Sequence, residues 1–161
     1  MKRRRMAALP LLLAALLLGA CRREARFDFL ELNARLRAAD KSFCFPEDAV
    51  FYKDGTYYVY CSLQSENDAL LSMREDEDGR LDRISLTLTA EDRDAAQRFA
   101  AFSRLLAGLF IPDCDLDALC AQTGLDDAAL FQETMRAFTQ DRYTAVLFGS
   151  QTAACFFVMR K

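Results

Sequence analysis

The side chains of this 161-residue protein that could do chemistry are six cysteines, twenty-four carboxylates, a few lysines and five tyrosines; histidine is absent. Without an imidazole there is no Ser–His–Asp or Cys–His nucleophile and no His metal ligand. The cysteines stand at 21, 44, 61, 114, 120 and 155. Zinc sites pair their ligands as C-x2–4-C and thioredoxin-type redox sites as C-x-x-C, and neither spacing occurs, so no metal and no cofactor is expected. Beyond Cys21 the cysteines are odd in number, which leaves at least one thiol over within the chain. Cys61 and Cys155, each beside apolar neighbours, read as small buried hydrophobes, or as a bridge if the fold joins them. On a helical path Cys114 and Cys120 stand about 9 Å apart, beyond the ~7 Å limit for a disulfide, unless Cys114 bends back before the helix starts.

Glu75-Asp76-Glu77-Asp78-Gly79 invites a calcium-loop reading. It fails, because Arg74 would fall at position 1 and Ser85 at position 12 of an EF-hand loop. Asp113, Asp115 and Asp117 fail as well, with Ala118 at the glycine position and Gly124 at the glutamate position. The two runs read instead as a solvated hairpin turn and a helix start, where acids offset the helix dipole. Any two carboxylates could meet as a glycosidase pair, but nothing marks one pair. A Ser–Lys dyad would have to use Lys41 or Lys53, since Lys161 ends the chain. No catalytic residue is assigned, and an enzyme is not expected.

The most suggestive cluster is aromatic. Tyr52, Tyr57, Tyr58 and Tyr60 fall within nine residues. In a strand, Tyr57, Val59, Cys61 and Leu63 point one way while Tyr58, Tyr60 and Ser62 point the other. If the Val59 face is buried, Tyr58 and Tyr60 form a candidate binding surface, because exposed Tyr supplies interface area at low entropic cost. Cross-strand packing that merely covers the outer face explains the same residues.

These side chains need elements to hold them. Phe29, Leu32, Leu36 and Ala39 recur at helical spacing and predict a helix over about 27–39. Residues 49–63 read as a hairpin turning at Asp54-Gly55, a type I′ pair. A second hairpin joins 69–74 to 80–89 through the acidic turn. Thr89 and Asp92 form a weak capping box for a helix from Ala90 to about Phe110, with Ala95, Phe99, Phe102, Leu106 and Leu109 inward and Arg93, Arg98 and Arg104 solvated. Pro112 ends it. Asp115 starts a short helix that closes at Gly124. Asp126 caps another helix to about Gln140, carrying Leu130, Phe131, Met135 and Phe138 inward. Strands over Arg142–Phe148 and Thr152–Arg160 close the chain. The expectation is one α+β domain over 27–161, in the order α-ββββ-ααα-ββ. Its antiparallel sheet has about six strands, with three to four helices packed on one face.

The N-terminus is different in kind. Lys2-Arg3-Arg4-Arg5 precedes an apolar run from Met6 to Leu18, too short to span a bilayer core of ~30 Å. This is the pattern of an export signal. Its end, Leu18-Gly19-Ala20-Cys21, resembles the lipobox of bacterial lipoproteins. The resemblance covers 21 residues. It implies removal of residues 1–20, diacylglycerol on the Cys21 thiol, and a chain anchored by that lipid to the extracytoplasmic side of the cell membrane. In two-membrane bacteria an Asp after the lipidated Cys would mark inner-membrane retention; Arg22 stands there instead.

Residues 21–26 are then a short tether, whose arginines Arg22, Arg23 and Arg26 could lean on anionic headgroups. Residues 1–20 hold four of the 21 basic residues and none of the 24 acids, so the processed chain has 17 against 24, a net charge of −7. Such a domain is a poor candidate for nucleic acid or for anionic lipid. The functional expectation is a membrane-anchored lipoprotein with a small non-catalytic binding domain, which meets another envelope protein or an external ligand. A small envelope hydrolase using unmarked carboxylates and a structural or assembly role are the alternatives.

Overall fold

Asp28 opens the first helix: its carboxylate accepts the Glu31 N–H at 3.0 Å, and α1 runs Phe29–Ala39. The computed structural model describes residues 27–43, 45, 47–63, 68–89, 93–125 and 130–161. Phe29, Leu32 and Leu36 are buried along one side of α1. Beside them lies Asn33, which sequence reading passed over. Its amide donates to the Phe45 carbonyl at 3.0 Å and accepts the Phe45 N–H at 3.1 Å. A buried amide satisfied at both ends pins the segment after α1 to the helix. Phe43 then stacks on Phe102 at 4.3 Å and Phe45 tilts against the same ring.

The sheet begins with β1 (Val50–Lys53) and β2 (Thr56–Cys61). Asp54 and Gly55 both take positive φ between them, the type I′ geometry that matches strand twist. β3 (Ala69–Glu75) and β4 (Leu81–Leu88) make the next hairpin. In its turn the Asp76 carboxylate accepts the N–H groups of Asp78 and Arg80 at 3.0 and 2.9 Å. The chain then leaves the sheet as α2 (Arg93–Phe110) and α3 (Leu116–Thr123). α3 has Asp115 as its N-cap and Gly124 at φ 70 as its C-cap. The chain re-enters at the far edge as β5 (Thr134–Gln140), β6 (Tyr143–Gly149) and β7 (Ala154–Arg160). β7 comes to rest against β4. The result is a seven-stranded sheet in the order β1-β2-β3-β4-β7-β6-β5, antiparallel throughout.

This corrects the sequence expectation of about six strands and the order α-ββββ-ααα-ββ. Among the described residues the order is α-ββββ-αα-βββ, with three α-helices. The difference is the segment read as a helix up to Gln140, of which residues 126–129 lie outside the described residues. Thr134–Gln140 pairs along its whole length with β6, from Thr134 opposite Gly149 to Gln140 opposite Tyr143. Leu130 and Phe138 are buried as expected, but Met135 is 76% exposed. A handful of apolar residues fits both periods over so short a stretch. Backbone pairing with β6, through the tight turn at Asp141 (φ 51), decides the matter. The expected Thr89–Asp92 capping box falls partly on residues 90–92, outside the described residues. The Thr89 hydroxyl and N–H both donate to the Asp68 carbonyl, closing the base of a loop.

The core lies between the helices and one face of the sheet. Val59, Leu71, Leu86, Phe156 and Leu147 form one continuous inner row across five strands. Phe99, Phe102 and Leu106 of α2 pack down on this face, all fully buried. Arg98 is exposed as expected and also donates to the Leu63 carbonyl at 2.5 Å, tying α2 to the chain just after β2, whereas Arg104, expected to be solvated too, is half-buried.

Candidate functional site

Alternation along seven strands leaves the second face of the sheet without a covering element among the described residues. Its side chains are therefore the ones free to meet something else. Tyr58 and Tyr60, the two tyrosines singled out by sequence, both lie here. Tyr60 is 68% exposed. Tyr58 is half-buried beneath Phe51, the two rings 6.4 Å apart. The other two tyrosines of the hairpin turn to the helix side. Tyr57 stacks on Phe29 at 4.8 Å, and its hydroxyl donates to Glu75 at 3.2 Å. Burial, and then the Glu75 charge, raise the Tyr57 phenol above its ordinary value.

The open face has a second apolar lobe that sequence reading missed. Met135 of β5 is 76% exposed and Phe148 of β6 is 47% exposed, opposite each other in register. Met135 was hidden by its assignment to a helix. Phe148 was legible, since it alternates with the buried Leu147, but no cluster drew attention to it. The two lobes, on β1–β2 and on β6–β5, stand roughly 20 Å apart at about 4.8 Å per strand. The surface between them is mixed, with half-buried Leu70 and Phe157 beside Ser72, Ser85 and Thr87. Ser72 and Ser85 share a hydrogen bond of 2.6 Å, and Thr87 donates to the Cys155 thiol at 3.5 Å. Arg74 closes one rim through a two-point contact with Asp82 at 2.9 and 2.6 Å. The hydrogen bonds to Asp82, and then its charge, raise the Arg74 guanidinium above its ordinary value, outweighing the partial burial that lowers it.

The cysteines sort by face. Cys61 points into the core, where desolvation, opposed by a Leu71 backbone hydrogen bond and aided by the Asp68 charge, pushes its thiol up to about 12. Cys155 points to the open face and is only half-buried, contrary to its reading as a core residue. A Cys61–Cys155 bridge is excluded, since the two lie on opposite faces with β3 and β4 between their strands. Cys61, Cys114 and Cys155 are free thiols. Burial, and then Asp115, raise the Cys114 thiol above its ordinary value. Cys21 and Cys44 lie outside the described residues.

Among the described residues no three His, Cys, Asp or Glu side chains form a group able to hold a metal. No described helix is long and apolar enough to cross a membrane. One concavity is lined by Asp94, Gln97, Arg98 and Ala101 on α2, and a second by four arginines and several aromatics. Among the described residues, neither lining contains two carboxylates. Comparison with protein-family models, with curated proteins and with solved structures gives no match to this chain.

Proposed function

We propose that this chain is a lipid-anchored binding module of the bacterial envelope, whose open sheet face takes the apolar surface of a protein partner. The observation that carries this reading is the uncovered face itself. Phe51, Tyr60, Met135 and Phe148 expose between 47% and 76% of their surface on one side of one sheet. Aromatic and Met side chains in two exposed lobes joined by a mixed apolar and polar surface have the make-up of a protein–protein contact. Apolar residues gathered on one surface of a soluble domain generally mark an interaction site. The lipobox-like Leu18-Gly19-Ala20-Cys21 supports the anchor.

The test is site-specific photo-crosslinking in native membranes, with the crosslinking residue at Tyr60 or at Met135. Both sites should capture the same protein. A Phe148→Asp substitution on the open face should reduce capture at least about tenfold, which corresponds to one lost interface anchor. Arg37→Gln, at an exposed position of α1, should leave it unchanged. If both positions remain uncrosslinked, or react only with lipid, the open face is not a protein-binding surface.

A further inference from the structure

Four arginines from four distant stretches of chain come together beside the start of the domain. Arg35 of α1, Arg80 and Arg142 of two hairpin turns, and Arg160 at the end of β7 line one cleft of about 240 Å³. Its walls are Phe27, Phe110 and Tyr143, whose rings meet edge to face with centroids 5.7 Å apart. Two of the guanidiniums are ordered by these rings. Arg35 sits over Phe27 at 4.9 Å, and Arg142 over Tyr143 at 5.6 Å. Carboxylates hold two as well: Glu31 accepts from Arg35 at 2.7 Å and Asp76 from Arg160 at 2.5 Å. These contacts do not exhaust the donors of Arg35 and Arg160. A guanidinium carries five N–H donors, and one carboxylate engages at most two of them. The processed chain is acidic overall, so a gathering of four arginines runs against its average charge.

We propose that this cleft binds the phosphodiester headgroup of an anionic phospholipid. Planar forks of N–H donors suit phosphate oxygens in two-point geometry. The aromatic walls suit the apolar glycerol and upper acyl carbons beside that phosphate. The source of the phosphate follows from position. Phe27, which forms a wall, stands six residues after Cys21. Six residues reach at most about 21 Å. This step rests on the lipid-anchor reading above. Under it the cleft stays at the bilayer surface, and the open sheet face is left for a protein partner.

Hydrogen exchange on the full chain, purified from membranes and reconstituted in vesicles, tests this. With about 30 mol% phosphatidylglycerol in phosphatidylcholine, amides around Phe27, Leu81 and Tyr143 should exchange at least about fivefold more slowly than in phosphatidylcholine alone, the scale of one arginine at an anionic surface. Arg35→Gln with Arg142→Gln should abolish that difference while the circular dichroism stays unchanged, and Arg37→Gln should retain it. Three outcomes overturn the proposal: equal protection in both vesicles, which would mean that the chain's own N-terminal segment fills the cleft; the same protection from inorganic phosphate added to phosphatidylcholine vesicles; or protection that survives the double substitution. Failure of the anchor reading looks different, because a chain without lipid would not co-float with phosphatidylcholine vesicles in any variant.

Discussion

Replacing Phe102 with alanine should strike the joint between α2, the sheet and the segment that follows α1. Phe102 is fully buried, stacks on Phe43 at 4.3 Å with planes 5° apart, and touches Phe45 at a centroid distance of 6.1 Å. Phe→Ala at a buried site costs ~3–5 kcal/mol through lost transfer energy and the cavity left behind. A domain has only ~5–15 kcal/mol to lose. For a chain of this size that is a fall in melting temperature of about 10–20 °C. Urea unfolding followed by circular dichroism is the assay. The midpoint should drop at an unchanged slope, since the surface exposed on unfolding hardly changes. Phe102→Leu should recover most of the loss. Arg104→Ala, on the same helix, should cost no more than about 1 kcal/mol. A cycle with Phe43→Ala should show a coupling of about 0.5–1.5 kcal/mol, the stacking that both rings share. Equal losses from Phe102→Ala and Arg104→Ala would mean that α2 is rotated from the orientation described. Zero coupling would mean that the Phe43 stack does not hold the segment down.

Cys21→Ser should abolish lipid labelling and leave an uncleaved precursor; normal maturation with labelled fatty acid would refute the anchor. Reductant should shift the melting temperature by a few degrees at most, and a maleimide probe should leave buried Cys61 unmodified in the folded chain; a drop above about 15 °C would reveal a bridge that holds the domain. Gly149→Ala should destabilise the sheet by about 1–3 kcal/mol in thermal unfolding, because a Cβ there would run into the Leu130 and Gln132 carbonyls. Partial desolvation pushes the Asp76 carboxyl up, but the Arg80 and Asp78 N–H groups and the Arg160 guanidinium outweigh it and hold it below the ordinary carboxylate range. A lowered pKa stabilises the fold above the unfolded value of about 3.9, and the contribution is lost as pH falls through the folded value. Asp76→Asn should therefore remove part of the stability loss below about pH 4, by less than ~1 kcal/mol for a half-buried group still screened by solvent, and an unchanged acid profile would argue against the pairing.

Local chemistry made much of the N-terminal half legible. Asp54-Gly55 marks its own turn, because few residue pairs accept two positive φ values. Period-two alternation put Val59 and Cys61 on one face and Tyr58 and Tyr60 on the other, as the structure has them. Asp115 and Gly124 bracket α3 because capping is a local hydrogen-bond problem. The reading failed where local signals were balanced. In residues 126–140 the spacing of Leu130, Phe131, Met135 and Phe138 suited a helix, and nothing nearby showed that β6 would offer a partner. Met135 was thereby lost from the open face, and with it half of the candidate site.

The sequence by itself determined which chemistries are absent, since a chain without His or a C-x-x-C pair cannot assemble the corresponding sites. It also determined the faces of strands whose alternation is strict. Tertiary structure alone decided three things. It separated Cys61 from Cys155, because neighbours in composition can still face opposite sides of a sheet. It left one face bare among the described residues, because the three described α-helices settle on the other. And it drew Arg35, Arg80, Arg142 and Arg160 to one cleft from nearly opposite ends of the chain. Net charge is a sum over residues and holds no information about where they lie. The local field depends on distances that only the packing of strands and turns sets.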